Sequence, residues 1–366
     1  MTDELAPLRL RLDPLMTIVR DGDDACQIVT SERQLFRIRG KTVPVLIEHV
    51  LPLLDGSRRV TDLRIALDGR VKQALLDDLL RLLMHNRVVR DVTDAPPLSE
   101  AVRETWRGAL QLLSRFSARP EELFGQLRKA RVAVVGDSPW VQDLVDALAA
   151  WGIGELDVIG RPPRDVRAPA GTQVHTQPWP QLASTVERAD LVVGLQDGDF
   201  AAIAELKAVN RACLQIGRSW LHVRLTLDAE AWLGPLHAPG GACFECLGLR
   251  INSNLKAGRE AAVAQRQAEH GQMVTRRLDF GPFRQQAAAM AAMEAVKHLT
   301  WIEISQLFSR CCLVDLVSQD TSLHTVLRHP GCPACGPAAE RRLYPWDADE
   351  VMLERTLIVP RGAELA

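Results

Sequence analysis

The sequence predicts an α/β protein in two parts: a small winged-helix-like α+β module, then a larger domain in which strands alternate with helices around a structural metal. Three observations carry this reading. Short strand-like runs precede three helix-like stretches in the first 92 residues. From residue 131 a continuous apolar run ends in glycine and opens an alternation of strands and helices. Two C-x-x-C pairs, Cys243/Cys246 and Cys332/Cys335, stand far apart in the chain, each beside glycine. The boundaries drawn are 1–92 for the module, 93–130 for a helical linker and 131–366 for the α/β domain.

The cysteines set the metal expectation. One C-x-x-C turn places two thiolates on the same side, and two such turns close a tetrahedral four-sulfur shell with no open position. A closed shell predicts structural Zn2+ held by Cys243, Cys246, Cys332 and Cys335, tying the chain end to its middle. A redox dithiol is the competing reading. It follows a strand as a single C-x-x-C and fits two glycine-flanked turns poorly.

Composition narrows the class. An apolar content of 47% is enough for two cores within 366 residues. A net charge of −2 offers no electrostatic reason for nucleic-acid binding. Cys26, Cys213, Cys311 and Cys312 show no disulfide framework, which predicts a reducing, cytoplasmic setting. No run approaches the ~20 apolar residues of a membrane helix, and Met1-Thr2-Asp3-Glu4 lacks the basic start of a signal peptide.

Within the module, Thr17–Arg20, Cys26–Thr30 and Gln34–Arg39 read as three strands, the first two joined at Asp21–Asp24 and the last closed by Gly40. Helices are predicted over Val43–Leu54, stopping at Asp55-Gly56, over Thr61–Leu67, and over Val71–His85 with its leucine stripe. Arg87–Arg90 closes the module as a strand. A DNA-reading helix needs Arg, Lys, Asn or Gln aimed at base edges. The third helix instead mixes Asp77 and Asp78 with Lys72 and Arg81. The alternative is a peptide groove, in which an extended peptide adds to the free edge of the third strand. Its residues are Gln34, Leu35, Phe36, Arg37, Ile38 and Arg39, facing Leu76, Leu79, Leu80 and Leu83 of the third helix. Alternation sends Phe36 and Ile38 to the core and leaves Leu35, Arg37 and Arg39 nearer the groove.

Asp91–Pro97 reads as a boundary, and Glu100–Phe116 as a helix with Trp106, Leu110 and Leu113 on one side. In the large domain, strands are predicted at Arg131–Gly136, Glu155–Ile159, Gln173–Thr176, Leu191–Gly194 and Cys213–Ile216, with a helix at Val141–Trp151 and another at Gln285–Leu299. Asp197-Gly198-Asp199 reads as a turn, with Asp199 capping a helix over Phe200–Val209. Cys311 and Cys312 begin an apolar strand and so face opposite sides; a buried structural thiol is the simpler reading of either. His222, His237 and His329 lie near the cysteine turns without being needed as ligands.

The first segment resembles the PqqD-like precursor-recognition module of ribosomal-peptide modification systems. The likeness lies in the strand order, the Leu53-Leu54-Asp55-Gly56 ending and the leucine-rich third helix ending near Arg87-Val88-Val89. The second resembles the ThiF/MoeB-like, Rossmann-type branch of the ubiquitin-activating superfamily, through its first strand, the knuckles Cys243-Phe244-Glu245-Cys246 and Gly331-Cys332-Pro333-Ala334-Cys335-Gly336, and the helix between them. Together they resemble the leader-peptide-binding partner of YcaO cyclodehydratases. That resemblance implies a precursor peptide and a YcaO enzyme as partners, a homodimer through the second domain, and no intrinsic catalysis.

One departure bears on mechanism. A nucleotide-binding member needs G-x-G-x-x-G after the first strand and an acidic residue after the second. Here the loop is Gly136-Asp137-Ser138-Pro139-Trp140-Val141, and Ile159 is followed by Gly160-Arg161. Asp137 sets negative charge where phosphates would lie, and Trp140 is expected to fill the space, so ATP is not expected. An anion site using Arg161 or Arg164 is the counter-reading. An ATP-dependent adenylating enzyme acting on a peptide or carrier-protein C-terminus stays as the alternative function, and a winged-helix DNA-binding regulator as the third.

Overall fold

The computed structural model describes residues 3–336 apart from 14–15, 32–33, 42, 44–45, 95–97, 118 and 165–170. The chain divides into two compact units, 1–125 and 126–366. No helix among the described residues is long and apolar enough to cross a membrane.

The first unit holds two antiparallel three-stranded sheets. One is the meander β2 (Thr17–Arg20), β3 (Ala25–Ser31) and β4 (Gln34–Arg39), in that spatial order. These are the three strands read from the sequence. In the other, β1 (Arg9–Leu12) lies between β5 (Asp55–Arg59) and β6 (Val89–Asp91). Neither β1 nor β5 was expected. The Asp55-Gly56 pair does not merely end a helix: it starts β5. Gly56 sits at φ +81, where an added Cβ would come 2.8 Å from Val92. The predicted helix over Val43–Leu54 is replaced, in its described part, by a π-type turn at Leu46–Val50 and a 3-10 turn at Leu51–Leu53. Pro52 cannot donate the backbone bond that a continuous helix would require there.

Helices α1 (Val60–Ala66) and α2 (Gln73–His85) complete this core. Leu76, Leu80 and Leu83 are 1%, 0% and 1% exposed, packed with Leu10, Ile28 and Leu63. This corrects the groove reading. Three of its four leucines are core residues, because the i, i+4, i+7 row of α2 is the face that meets the sheets. Leu79 is half-buried, while Leu75 and Leu82 carry the exposed apolar surface. The helix expected over 100–116 is two helices, α3 (Glu100–Thr105) and α4 (Arg107–Leu113), broken at Trp106. Trp106, Leu110 and Leu113 are buried as their spacing predicts, Trp106 lying 5.4 Å from the Phe124 ring of α5 (Pro120–Lys129). The buried Glu121 accepts from Arg11 (2.7 Å) and Arg103 (3.0 Å), which joins β1, α3 and α5.

The second unit is built on one eight-stranded sheet. Its parallel half runs in space β9 (Gln173–Gln177), β8 (Glu155–Gly160), β7 (Arg131–Gly136), β10 (Leu191–Asp197), β11 (Trp220–Leu225). Strands β12 (Glu230–His237), β13 (Arg310–Asp315) and β14 (Thr321–Thr325) extend it antiparallel. Helices α6 (Trp140–Ala150), α7 (Leu182–Arg188) and α8 (Ile203–Ile216) connect the parallel strands. Residues 213–216 are therefore the last turn of α8 and not a strand. Leu206, Val209 and Cys213 are buried at helical spacing, and Gly217 at φ +75 ends the helix. Asp199 does not cap α8, which begins only at Ile203; its carboxylate pairs with Arg224 instead. Asp197, read as a turn, is the last residue of β10. Helices α9 (Phe244–Asn254), α10 (Gly258–Glu269) and α11 (Gly281–Thr300) follow.

The burial pattern of α2 gives a test. Leu80→Ala is expected to destabilise the first unit by about 2–5 kcal/mol, because a core leucine leaves a cavity. Leu82→Ala is expected to stay within about 0.5 kcal/mol. Thermal unfolding of the two variants checks this, and similar losses would return Leu80 to a solvent-facing groove.

Candidate functional site

The four cysteines of the two knuckles meet. Their sulfurs all lie within 4.8 Å of one another. Three of the separations are 3.9 Å (Cys243 to Cys246), 3.5 Å (Cys243 to Cys332) and 3.3 Å (Cys246 to Cys335). A tetrahedral ion with metal–sulfur bonds of ~2.3 Å has sulfur–sulfur edges of ~3.8 Å. The cluster thus fits a metal, and its spacings are far too long for disulfides of ~2.05 Å.

Local structure explains how the knuckles are held. Cys243 precedes α9, whose first amide, on Phe244, donates to Asn210 of α8 at 3.1 Å. In the second knuckle the Gly336 amide donates to the Cys332 carbonyl at 2.9 Å, and a Cβ at Gly336 would lie 2.6 Å from that oxygen. Arg250 of α9 donates to the carbonyls of Leu327 (3.3 Å) and Arg328 (3.2 Å), fixing the approach to it. The buried His237 meets the Ala242 carbonyl through Nδ1 at 2.7 Å, and burial lowers its pKa to about 4. It supports the first knuckle as a neutral ring.

Proton sharing within the cluster is uneven. The bond to Cys246 together with burial pushes the Cys243 thiol up, and burial takes Cys332 to about 11. The thiol of Cys243 and the His329 amide, 3.3 Å away, hold Cys246 down at about 4. An incoming ion must displace protons from most of these sulfurs, so its affinity rises with pH.

A second feature lies where the strand order reverses, between β7 and β10. A cleft of about 290 Å3 opens there beside Gly136, Asp137 and Ser138, with Asp197 and Arg277 in its wall. Asp197 is 5% exposed, and the Ser138 hydroxyl is the side chain that hydrogen-bonds toward its carboxylate. Burial raises its pKa above the ordinary carboxylate value, partly offset by the Ser138 hydroxyl and Arg277. Trp140 does not fill this cleft. Its ring is fully buried and is not among the residues that line the cleft. Sequence reasoning missed Asp197 by ending β10 at Gly194. The signal was an apolar run that continues through Leu195 before reaching an acid. Arg161 and Arg164 lie by another opening, of about 250 Å3, with Arg284, whose own guanidinium pairs with Asp143 at 2.9 Å. Cys311 is buried and Cys312 half-buried, and burial raises both thiols.

The third feature is the edge of β4, which pairs only with β3 among the described strands. Phe36 and Ile38 pack on the core, as alternation predicts, while Arg37 and Arg39 are exposed. Their guanidinium groups pair with Asp21 (2.8 Å) and Asp24 (3.4 Å). The side chains of Gln34 and Leu35 lie outside the described residues.

No family model matches the sequence, and no curated relative matches it. Solved structures share the fold. The heterocyclase TruD is 22% identical over 90% of this chain and 43% of its own, with a TM-score of 0.62. The microcin C7 biosynthetic enzyme MccB, in complex with N-formylated MccA, is 16% identical over 89% of this chain and 99% of its own, at 0.58. E. coli MccB with ATP gives the same identity and coverage at 0.55. This chain thus spans about two fifths of the heterocyclase and nearly all of MccB.

The cysteine geometry predicts about one thiolate-bound divalent ion per chain. Cys332→Ser is expected to lose that ion and lower the unfolding temperature, because binding energy at such a site is folding energy. Metal analysis of the purified protein and its variant measures both. A well-folded, metal-free preparation would sink this reading.

Proposed function

We propose that the protein binds the leader of a ribosomally made precursor peptide and presents it to a separate YcaO cyclodehydratase for thiazoline or oxazoline formation. The observation that carries this is the open edge of β4. Its six residues offer roughly 20 Å of unpaired backbone, enough for a leader segment of similar length to add as a strand. Phe36 and Ile38 anchor the strand from behind. Arg37 and Arg39 would exchange Asp21 and Asp24 for leader carboxylates. Because both arginines are exposed and already paired, that exchange contributes little, and salt dependence should be shallow. The fold likeness to a heterocyclase more than twice as long supports a division of labour in which a separate protein supplies the chemistry. In this reading the ion is structural Zn2+, and the second unit is a cytoplasmic docking and dimerisation scaffold.

The sequence departures at Gly136–Trp140 weigh against nucleotide, but Asp197 favours a second reading. A buried carboxylate in the wall of a cleft at the strand switch point suits an ATP-dependent adenylating enzyme, and MccB, similar over its whole length, has been solved with ATP.

Fluorescence polarisation with a labelled leader, taken from the neighbouring precursor gene, tests the first reading. Arg37→Pro removes an edge N–H and restrains the strand, so affinity should fall by about tenfold or more. Arg20→Pro, whose N–H faces outward on the far edge of the same sheet, should leave it unchanged. Equal effects, or none at Arg37, would refute strand addition at β4.

ATP–pyrophosphate exchange separates the second reading. None is expected, with or without peptide. Saturable exchange that disappears in Asp197→Asn would replace the scaffold with an adenylating enzyme.

A further inference from the structure

Four thiolates around a divalent ion carry two negative charges in excess. Cys243, Cys246 and Cys332 are 2%, 0% and 0% exposed, so water screens that excess poorly. A charge held away from water is costly unless opposite charge and hydrogen-bond donors face it.

Two arginines are tied to the second knuckle and to the chain that leads into it. Arg250 is half-buried on α9, one helical turn after Cys246. It donates from Nε to the Leu327 carbonyl and from Nη2 to the Arg328 carbonyl. Arg328 is exposed and donates in turn from Nη2 to the carbonyl of Cys335, itself a member of the cluster. The pair thus forms a relay from the helix of the first knuckle to the last cysteine of the second. Neither guanidinium has a carboxylate partner among the described residues. In the same unit Arg131, Arg211, Arg224 and Arg284 each pair with one. The carboxylate inside the first knuckle, Glu245, is the one that Arg211 reaches, at 3.8 Å. The His329 amide, 3.3 Å from Cys246 Sγ, brings a donor to the cluster but no charge. Neutral His237 brings none either.

We infer that Arg250 and Arg328 are the counter-charge of the metal centre and set how tightly it keeps its ion. Two positive charges are fixed by the backbone of the second knuckle where two negative charges are to be offset. Neither arginine is a ligand. Both are positioning residues, and partners of this kind typically contribute 10- to 100-fold to metal affinity. Arg250 has a further effect, because its two bonds hold the approach to the second knuckle against the helix of the first. The inference rests on the reading that the four cysteines bind an ion. It adds two residues that C-x-x-C spacing does not mark.

Zinc affinity of the full-length protein is measured by competition with the chromophoric chelator 4-(2-pyridylazo)resorcinol. The sulfur-to-cobalt charge-transfer bands of the Co2+-loaded form report the ligand set. Arg328 is exposed, so its variants should fold, and circular dichroism checks this. Arg328→Gln keeps a donor and removes the charge, and it should weaken Zn2+ binding by about tenfold. Arg328→Lys keeps the charge and should stay within about twofold of the unaltered protein. Raising sodium chloride from about 0.05 M to about 1 M should narrow the gap between the unaltered protein and Arg328→Gln, because salt screens a counter-charge. Arg250→Gln should weaken binding by at least about tenfold. Arg81→Gln, exposed in the first unit, should change nothing. The cobalt bands should persist in every variant, since no ligand is altered. Equal affinity in the unaltered protein and Arg328→Gln, an Arg328→Lys variant as weak as Arg328→Gln, or a gap that salt does not narrow would each overturn the counter-charge and leave the metal reading standing. An unaltered protein that takes up neither Zn2+ nor Co2+ would overturn both, so the two failures are told apart.

Discussion

The second unit depends on four sulfurs brought to one point from chain positions 89 residues apart. Closing a loop of that length costs about 4 kcal/mol in chain entropy before any local strain. Apolar packing around the knuckles offsets part of it, since Cys243, Cys246 and Cys332 share a small core with Leu247, Cys311 and Val326. It does not explain why four thiols crowd together. Cysteines that only filled space would have no reason to approach to 3.3–3.9 Å. Apparent binding energies of roughly 10–16 kcal/mol for structural zinc in small peptides exceed the closure cost severalfold. A bound ion would be large enough to set this geometry. It would hold everything between the knuckles, from α9 through β14, at both ends.

The parallel half of the sheet obeys a different constraint. Gly136 and Gly160 end neighbouring strands, and a Cβ on Gly160 would come 2.2 Å from the Gly136 carbonyl. The Arg161 amide donates to that same carbonyl at 2.8 Å, so the two strands stay zipped past the point where a dinucleotide fold opens to admit a ribose. Beyond that zipped pair lies the opening of about 250 Å3 lined by Ser138, Arg161 and Arg164. On the other side Asp197 and Arg277 keep a polar cleft. The absence of G-x-G-x-x-G after β7 and the presence of a buried carboxylate at the end of β10 are separate facts.

Much of this was legible from residue order, for reasons that differ by element. The meander β2–β4 was readable because Thr17–Arg20 and Gln34–Arg39 are bounded by turn residues. The knuckles were readable because C-x-x-C spacing is short-range and chemically specific. The α8 error came from reading Cys213–Ile216 by composition alone, where Leu206, Val209 and Cys213 supplied the helical period and Gly217 the stop. Strand β1 was missed although Arg9-Leu10-Arg11-Leu12 alternates strictly, since its partners β5 and β6 lie more than forty residues away.

The β4 edge raises a last point about exposed strands. An open edge invites pairing with any extended chain, and proteins commonly guard it with charge. Arg37 and Arg39 fit that role, since each is exposed and held by an aspartate of the turn between β2 and β3. Guarding and recognition are usually opposed, but here they act on different atoms. The arginine side chains stand away from the core face, while the backbone groups that would pair with a peptide lie in the plane of the sheet. The charges therefore discourage a second apolar edge from stacking without occupying the hydrogen-bonding positions. A peptide bearing carboxylates at alternate residues meets both conditions at once. An uncharged strand meets only one, but with both arginines exposed and already paired the difference is small, and the backbone carries most of the pairing.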